Sequence, residues 1–196
     1  MLKRFVDIVF SLIGLVVLIP FFLLIAILII IDSKGGVFYK QVRVGIHGTD
    51  FKLFKFRSMR TDADKKGLLT VGGRDSRITR MGYYIRKYKI DELPQLINVF
   101  IGDMSLVGPR PEVRRYTDLY TEAQKKVLTV KPGITDYASI EYSNENEILG
   151  KAENPEKVYI EEIMPAKLNL NLKYIADQSF LTDIKIILKT IFKILS

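Results

Sequence analysis

The hydrophobic pattern of the chain begins with 24 consecutive residues that carry no charge, from Ile8 to Ile31. As one straight helix this run would be about 36 Å long, which is enough to cross a hydrocarbon core of about 30 Å. The run is too long for the core of a cleaved signal peptide, and no small-residue cleavage site follows it. The pattern therefore predicts a membrane helix at the start of the chain.

Pro20 divides this run into 12 residues before it and 11 after it, and each part is too short to span a membrane alone. A proline inside a helix removes a backbone hydrogen bond and favours a kink. Basic residues flank the run on both sides, namely Lys3, Arg4, Lys34, Lys40 and Arg43. The charge asymmetry that orients a spanning helix is thus missing. Because prolines also occur in spanning helices, a spanning helix and a re-entrant helix remain open alternatives.

Beyond the run, alternating apolar and polar residues predict a β-hairpin with strands at Val37–Val44 and Asp50–Arg57. Residues 60–77 are polar and contain glycines, which predicts a loop. Helical patterns follow at Ile78–Lys89, Leu93–Phe100, 112–130 and Asn154–Asp177, the last with a bend at Pro165. We therefore expect an α+β fold, mainly helical with a small β-hairpin. Its predicted parts are a membrane helix at 1–32, a body at 33–178 and a tail at 179–196.

The tail, Ser179–Ser196, has the pattern of a basic amphipathic helix. Its apolar stripe repeats at three and four residues and consists of Leu181, Ile184, Leu188, Ile191 and Leu195. Another side carries Lys185, Lys189 and Lys193. Such a helix either lies on an anionic membrane surface or packs against the protein's own core. The residues leave both interpretations open.

Composition and charge narrow the chemistry of the body. With 196 residues the chain can form one domain with a substantial core. It has no cysteine and only one histidine, which excludes disulfides, thiolate metal sites and histidine-rich metal clusters. Residues 33–116 carry 18 Lys and Arg against 8 Asp and Glu, a net charge of +10, whereas the whole chain has +8. The positive charge is thus concentrated in this segment.

Two adjacent carboxylates, Asp91 and Glu92, lie within the basic segment and directly before the helical pattern at Leu93. Pro94 suits the first turn of that helix, so the pair lies near the positive end of the helix dipole. Acidic residues at a helix start are ordinary by themselves. A carboxylate among arginines, however, suits a reaction on phosphates, in which the cations hold the substrate and the carboxylate attacks phosphorus.

Four motifs give the chain a strong resemblance to the bacterial sugar transferases, the monotopic phosphoglycosyl transferases. They are Phe54-Lys55-Phe56-Arg57-Ser58-Met59, Asp91-Glu92-Leu93-Pro94-Gln95-Leu96, Gly102-Asp103-Met104-Ser105-Leu106-Val107-Gly108-Pro109-Arg110-Pro111 and Lys131-Pro132-Gly133-Ile134-Thr135. The resemblance implies transfer of a phospho-sugar from a UDP-sugar to polyprenol phosphate, at the cytoplasmic face of the bacterial inner membrane. It also implies a broken, re-entrant membrane helix with its bend at Pro20. The family often has Ser-Pro at this bend, where this chain has Ile19-Pro20.

The resemblance further implies roles for individual residues. Asp91 would be the nucleophile and a ligand of Mg²⁺, the expected cofactor, and Glu92 would be the base that deprotonates the acceptor. The expected phosphate-binding residues are Arg110, Arg86, Lys55, Arg57 and Arg80. Apart from the resemblance, the residues Gly72-Gly73-Arg74 leave two interpretations open, namely a cradle of backbone N–H groups for a phosphate and a loop hinge.

One departure limits how far the resemblance carries. Many members continue the last motif with Gly-Trp-Ala-Gln, whereas this chain has Asp136-Tyr137-Ala138-Ser139. The contacts of residues 136–147 with nucleotide and sugar are therefore not transferred. Expected partners are UDP-sugar, polyprenol phosphate and membrane lipids, with no nucleic acid, and a homodimer is left open. Two alternative functions are a membrane phosphatase or phosphodiesterase and a non-catalytic module that binds anionic lipid.

Overall fold

The computed structural model of the chain describes residues 2–61, 63, 69–70 and 75–195. The α-helices are α1 (Leu2–Asp32), α2 (Arg80–Lys87), α3 (Gln95–Ile101), α4 (Arg114–Thr117), α5 (Tyr137–Glu141), α6 (Glu145–Gly150), α7 (Pro155–Val158), α8 (Met164–Ala176) and α9 (Phe180–Leu195). The strands are β1 (Phe38–Val44), β2 (Asp50–Phe56), β3 (Ser105–Val107) and β4 (Gly133–Thr135). The expected mainly helical α+β fold with a small β-hairpin is confirmed. The division at residues 32 and 178 stays a prediction.

The predicted hairpin is formed by β1 and β2, which pair antiparallel with Phe38 opposite Phe56. Gly48 in the connecting turn has a φ of +73°, a conformation that glycine adopts without strain. Leu53 and Phe56 of β2 are buried. The inward-facing residues of β2 thus attach the hairpin to the helices and fix the direction of the strand.

A second, parallel pairing of β3 with β4 was not predicted. Ser105 lies opposite Gly133 in this pairing. Gly108 directly follows β3, and its backbone lies very close to that of Gly133. A Cβ atom placed on Gly133 would lie 2.0 Å from the backbone nitrogen of Gly108. Two of the recognised motifs therefore meet here backbone to backbone, at a distance that only glycines permit.

Helix α1 contains the predicted membrane segment and is long and apolar enough to cross a membrane. Helical structure continues through Pro20, so the two expected segments form one helix. The middle of the helix is open to the surroundings, with Val16 and Val17 more than half exposed. An apolar helix with such a surface fits contact with lipid. Its re-entry on the same face stays a prediction.

The N-terminal end of α1 is bound to the body by polar contacts. Arg4 donates hydrogen bonds to the carbonyl oxygens of Val99 (2.5 Å) and Phe100 (2.8 Å), in the last turn of α3. A cation at this position also interacts favourably with the helix dipole. Asp7 is buried and accepts from the backbone nitrogen of Leu106 at 2.9 Å.

The C-terminal end of α1 is bound to the same body. The guanidinium of Arg57 donates to the carbonyl oxygens of Ser33 (2.7 Å) and Ile29 (3.3 Å). The carboxylate of Asp32 accepts from the backbone nitrogen of Met81 at 3.1 Å, at the start of α2. Both ends of the apolar helix are therefore held by one folded unit.

The prediction of a helix over 112–130 is wrong. The structure has only the short α4 and a 3₁₀ segment, Gln124–Thr129. The cause is local hydrogen bonding between Thr121 and Gln124: the backbone nitrogen of Thr121 donates to the side chain of Gln124 at 2.9 Å, and the backbone nitrogen of Gln124 donates to the hydroxyl of Thr121 at 3.3 Å. This reciprocal capping starts a new turn and ends the old one.

The predicted long helix over Asn154–Asp177 is present in three consecutive parts. Helix α7 passes into a π-helical turn, Tyr159–Ile163, which passes into α8. Pro165 lies in the first turn of α8, where the missing N–H of a proline is tolerated. The π turn is wider than an α-helical turn and joins α7 to α8 without a break. Its first residue, Tyr159, lies in the core and is 2% exposed.

Helix α9 packs on the body with a different face from the predicted apolar stripe. Ile186 is fully buried and Asp183 nearly so, whereas Leu181 of the stripe is 67% exposed and Leu188 is 49% exposed. Asp183 accepts hydrogen bonds from Lys3 at 2.5 Å and from the hydroxyl of Tyr174 at 2.7 Å. The stripe is therefore left open beside α1, which favours its use on a membrane surface.

Candidate active site

The hairpin and α3 are joined by one buried amide. The side chain of Asn98 on α3 accepts a hydrogen bond from the backbone nitrogen of Phe54 at 2.9 Å. It also donates to the carbonyl oxygen of Lys52 at 2.8 Å, and it is inaccessible to solvent. These bonds fix β2 against α3. As a consequence Lys55, the next residue of β2, faces the carboxylates that precede α3.

Asp91 and Glu92 lie in a 3₁₀ turn, Ile90–Glu92, directly before α3. Lys89 enters this turn in a left-handed conformation with a φ of +55°, and Pro94 caps the start of α3. The expected position of the carboxylate pair at the positive end of a short helix is confirmed. The turn directs the two neighbouring side chains to different partners.

Glu92 is enclosed by two cations. Arg110 donates to both of its carboxylate oxygens, through Nη1 to Oε2 at 3.0 Å and through Nη2 to Oε1. The ammonium of Lys55 is 3.3 Å from Oε1. Burial alone would raise the pKa of Glu92, but Arg110 and Lys55 outweigh this effect and hold the pKa well below its usual range. Glu92 is therefore a charged counter-ion in this arrangement.

Asp91 has the opposite electrostatic character. It is 4% exposed, and burial raises its pKa, while the charge of Lys55 opposes that rise and the charge of Glu92 adds to it. Within the described part of the chain, no side chain donates a hydrogen bond to the Asp91 carboxylate. A buried carboxylate without a tight ion pair is the more basic and more nucleophilic member of the pair.

The backbone around Arg110 is held by a carboxylate that was not among the predicted site residues. Asp136 is completely buried, and its Oδ2 accepts from the backbone nitrogen of Arg110 at 3.0 Å. Its Oδ1 accepts from the backbone nitrogen of Ser139 at 2.6 Å, which caps α5. The parallel pairing of β3 with β4 brings these segments together. The turn Pro109-Arg110-Pro111 is thus fixed before any substrate binds.

A second buried network supports the same turn. Glu112 accepts from Arg43 at 2.8 Å, from the backbone nitrogen of Val113 at 2.8 Å and from the hydroxyl of Tyr159. Burial alone would raise the pKa of Glu112, but the charges of Arg43 and Lys167, together with these hydrogen bonds, lower it. Sequence reasoning missed this network, although the position of Glu112 directly after Pro111 was a usable signal. Its partners come from distant parts of the chain.

A large cleft of about 1150 Å³ connects these groups. Its polar part contains Asp91, Glu92, Lys55, Arg86 and Arg110. Its apolar part lies between the first half of α1 and the exposed side of α9, and it is lined by Val6, Phe10, Phe180, Ile184, Leu188 and Ile191. The cleft therefore has a charged part that suits phosphates and an apolar part that suits a hydrocarbon chain.

The remaining residues that were predicted to bind phosphate do not all line the cleft with a free side chain. Arg86 lines the cleft and donates to the hydroxyl of Thr70 at 3.1 Å. The guanidinium of Arg57 is occupied by carbonyl oxygens at the end of α1, so it contributes to the anchoring of that helix. Arg80 is exposed and lies outside the lining of the cleft. Gly72-Gly73-Arg74 lies outside the described residues.

The described residues contain no group of three or more Asp, Glu, His or Cys side chains arranged to hold a metal ion. Mg²⁺ needs fewer protein ligands than such a group provides, because it is commonly bound by one or two carboxylates together with phosphate oxygens and water. Asp91 fits this role as a buried carboxylate beside the phosphate-binding cations. Magnesium binding stays a prediction.

A buried carboxylate with a raised pKa lies here beside lysine and arginine side chains, in a cleft that opens beside an exposed apolar helix. This arrangement suits an enzyme that transfers phosphate esters at a membrane. The comparison with known proteins agrees and is more specific. The chain belongs to the bacterial sugar transferase family, whose model matches residues 1–196.

Curated relatives carry related names. The uncharacterized sugar transferase EpsL of Bacillus subtilis is 45% identical over 159 residues, which cover 81% of this chain and 70% of that protein. The exopolysaccharide production protein PSS of Rhizobium leguminosarum bv. phaseoli is 38% identical over 198 residues, covering 97% and 93%. The UDP-glucose:undecaprenyl-phosphate glucose-1-phosphate transferase of Escherichia coli is 36% identical over 196 residues, covering 98% and 40%. This chain therefore spans less than half of that last protein.

Proposed function

We propose that the protein transfers a sugar phosphate from a UDP-sugar to a polyprenol phosphate such as undecaprenyl phosphate, through a covalent intermediate on Asp91. The observation that carries the proposal is the contrast within the carboxylate pair. Asp91 is buried with a raised pKa, whereas Glu92 is neutralised by Arg110 and Lys55. The name of the Escherichia coli relative supports the substrates. The product would begin the assembly of a membrane-linked polysaccharide.

In the first step, an oxygen of Asp91 attacks the phosphorus that carries the sugar. A bond forms between this oxygen and phosphorus, and the bond from phosphorus to the bridging diphosphate oxygen breaks. UMP leaves with the electron pair. Arg110 and Arg86 would hold the phosphate oxygens, where a cation stabilises the charge that develops in the transition state.

Binding of the donor also changes the state of Glu92. The diphosphate competes with Glu92 for Arg110, because a phosphate accepts the same two-pronged guanidinium contact. Once Arg110 is engaged by substrate, the largest influence that lowers the pKa of Glu92 is weakened. Glu92 then becomes basic enough to take the proton of the acceptor phosphate. The ion pair thus holds the base inactive until donor has bound.

In the second step, an oxygen of the polyprenol phosphate attacks the same phosphorus. The bond between phosphorus and Asp91 breaks, and the carboxylate is regenerated. The apolar end of the cleft, between Phe10 of α1 and Ile184 of α9, suits the hydrocarbon tail of the acceptor. Mg²⁺, when bound, would neutralise charge on the diphosphate, with Asp91 as its ligand from the protein.

The membrane topology belongs to the same proposal. Polar contacts bind both ends of α1 to one body, through Arg4 and Asp7 at one end and Asp32 and Arg57 at the other. A bilayer between the two ends would have to separate at least one set of these contacts. We therefore expect α1 to enter and leave on the cytoplasmic face, with Pro20 in its deepest part.

The decisive experiment measures isotope exchange in the absence of lipid. The purified protein is incubated with a UDP-sugar and radiolabelled UMP, and label in the UDP-sugar is measured. Exchange without acceptor requires a covalent intermediate, because UMP must leave and return. Adding undecaprenyl phosphate should then produce a lipid-linked sugar diphosphate. Release of inorganic phosphate instead would indicate a phosphatase, and no reaction at all would indicate a lipid-binding module.

A further inference from the structure

Three residues that line the cleft each have a buried polar atom without a hydrogen-bond partner among the described residues. One is the Nε of Arg57, whose other nitrogens bind carbonyl oxygens at the end of α1. The other two are the Oγ of Ser139 on α5 and the Oδ1 of Asn171 on α8. Asn171 is 4% exposed. Buried polar atoms in folded proteins are almost always hydrogen-bonded, and exceptions call for an explanation such as an absent ligand. The proposed mechanism uses neither Ser139 nor Asn171.

The position of these atoms relates them to the phosphate site. The two oxygens of the Asp136 carboxylate accept from the backbone nitrogens of Arg110 and Ser139, so α5 begins directly beside the arginine turn. Asn171 also borders a small hollow formed by the same turn, next to Pro111. The surface formed by α5 and α8 therefore adjoins the place where the attacked phosphate would lie.

The chemistry of this surface is polar without a net charge. Tyr142 and Asn146 line the cleft close to Ser139 in the chain, and they provide an aromatic ring and an amide. Lys167 of α8 lines the cleft here, and its charge is paired with Glu145 at 2.6 Å. Hydroxyl, amide and aromatic groups together suit a ring that carries several hydroxyl groups, because they both donate and accept hydrogen bonds.

We infer that the surface between α5 and α8 binds the sugar ring of the donor, and that Asn171 selects among sugars. The inference rests on the proposed function. The attacked phosphorus carries the sugar directly, whereas the nucleoside is separated from it by a second phosphate. The group beside Arg110 is therefore the sugar. The orphaned atoms of Ser139 and Asn171 would each bond a sugar hydroxyl or its substituent.

The test replaces Asn171 with leucine, which has a similar size and no hydrogen-bonding group. Asn169→Leu is the matched control, because Asn169 is exposed on the same helix. For each protein, kcat/KM is measured with undecaprenyl phosphate and each of UDP-glucose, UDP-galactose, UDP-N-acetylglucosamine and UDP-N-acetylgalactosamine. Inhibition by UMP, donor binding by calorimetry and the melting temperature are measured beside it.

Asn171→Leu should reduce the ratio of kcat/KM between the best and the worst donor by roughly tenfold, because a hydrogen-bonding site discriminates strongly between hydroxyl patterns. UMP inhibition should change by less than about twofold, since UMP lacks the sugar that is transferred. The melting temperature should not fall, because the substitution of Asn171 removes no hydrogen bond to a described residue. Asn169→Leu should leave all of these values unchanged.

Several outcomes would overturn the inference. An unchanged donor ratio removes Asn171 from the sugar site, and an equal loss for all donors with weaker UMP inhibition assigns the surface to the nucleoside. If Asn171→Leu does not fold, Ser139→Ala is measured in the same way, and an unchanged donor ratio there has the same meaning. A wild-type protein that neither binds nor turns over any of the four donors would overturn the proposed function and this inference together.

Discussion

Asp91 and Glu92 are neighbours in the chain, yet their surroundings give them opposite acidities. Burial dominates at Asp91 and raises its pKa, whereas the cations Arg110 and Lys55 dominate at Glu92 and lower its pKa. Two titratable groups whose environments separate their pKa values are typical of acid–base and nucleophilic chemistry. The roles proposed for the two carboxylates rest on this difference in their partners.

Asp91→Asn should abolish both isotope exchange and lipid-dependent UMP release, by roughly three powers of ten or more. The amide cannot form the bond to phosphorus. The melting temperature should stay equal or rise, because a carboxylate with a raised pKa opposes folding at neutral pH and the amide removes that cost. Activity above a few per cent of wild type would remove Asp91 as the nucleophile.

Lys55→Met should move the acid side of the pH profile of kcat/KM to higher pH. Asp91 must be ionised to attack, and Lys55 is the strongest influence that opposes the rise in its pKa. Without that charge the pKa of Asp91 rises further, so activity is lost at a higher pH as the solution is acidified. Lys52→Met, at an exposed position of the same strand, is the control and should leave the profile unchanged.

Arg110→Ala should lower kcat/KM by roughly thirty- to a hundred-and-fifty-fold, which corresponds to the loss of about 2–3 kcal/mol in charge-assisted hydrogen bonds. Lysine should restore only part of the activity, because it lacks the two-pronged contact. Arg110→Ala should also lower the melting temperature, because Glu92 is left buried with a weaker counter-charge.

The double variant Arg110→Ala with Glu92→Gln separates the two effects. It should regain the melting temperature without regaining the exchange of radiolabelled UMP, because the buried charge is gone while the phosphate ligand is still missing. This exchange is the suitable measurement because it takes place without acceptor and therefore does not need Glu92 as a base. Recovery of the exchange in the double variant would show that Arg110 only neutralises Glu92.

Part of this site could be predicted from the sequence. The carboxylate pair and Arg110 lie in local motifs, and the family resemblance of these motifs, together with the basic charge around the pair, selected them. Asn98, Asp136 and Glu112 were missed because their partners are distant in the chain, and only the folded backbone brings them together. Arg57 was selected for its charge, although its guanidinium binds carbonyl oxygens of α1.

At the scale of secondary-structure elements, the contact between β3 and β4 determines where Arg110 lies. Gly133→Ala should destabilise the protein by roughly 2 kcal/mol or more and reduce activity, because the new Cβ atom would lie 2.0 Å from the backbone of Gly108. Gly36→Ala is the control, since the nearest atom to its Cβ would be 3.8 Å away. Equal melting temperatures for the two variants would contradict the close approach.

Elements governed by local patterns were predictable, and those governed by distant pairing were not. The hairpin and α9 follow from periodicity, and the membrane helix follows from its apolar run. The strands β3 and β4 have three residues each and pair across an intervening segment, so no local pattern indicates them. The helix over 112–130 failed because capping at Thr121 outweighed the general helical composition.

At the scale of the whole molecule, both ends of α1 should be accessible from the cytoplasm. The chain has no cysteine, so single-cysteine variants at Leu2 and Gly36 report position without background. A membrane-impermeant maleimide should label neither variant in intact spheroplasts and both after lysis. Glu122→Cys, on the exposed surface of the body, is the control for the cytoplasmic side. Labelling of only one end in intact spheroplasts would establish a spanning helix.

The bond between Lys3 and Asp183 has a consequence for biosynthesis. The two residues are 180 positions apart, so the ribosome delivers the membrane helix long before the partner that anchors its first turn. The partners of Arg4 and Asp7, at residues 99–106, are synthesised earlier, so Lys3 is the last of these three residues to meet its partner. Its ammonium and the hydroxyl of Tyr174 meet their common acceptor only after α9 has emerged. The contact between the first turn of α1 and α9 can thus form only when synthesis of the chain is nearly complete.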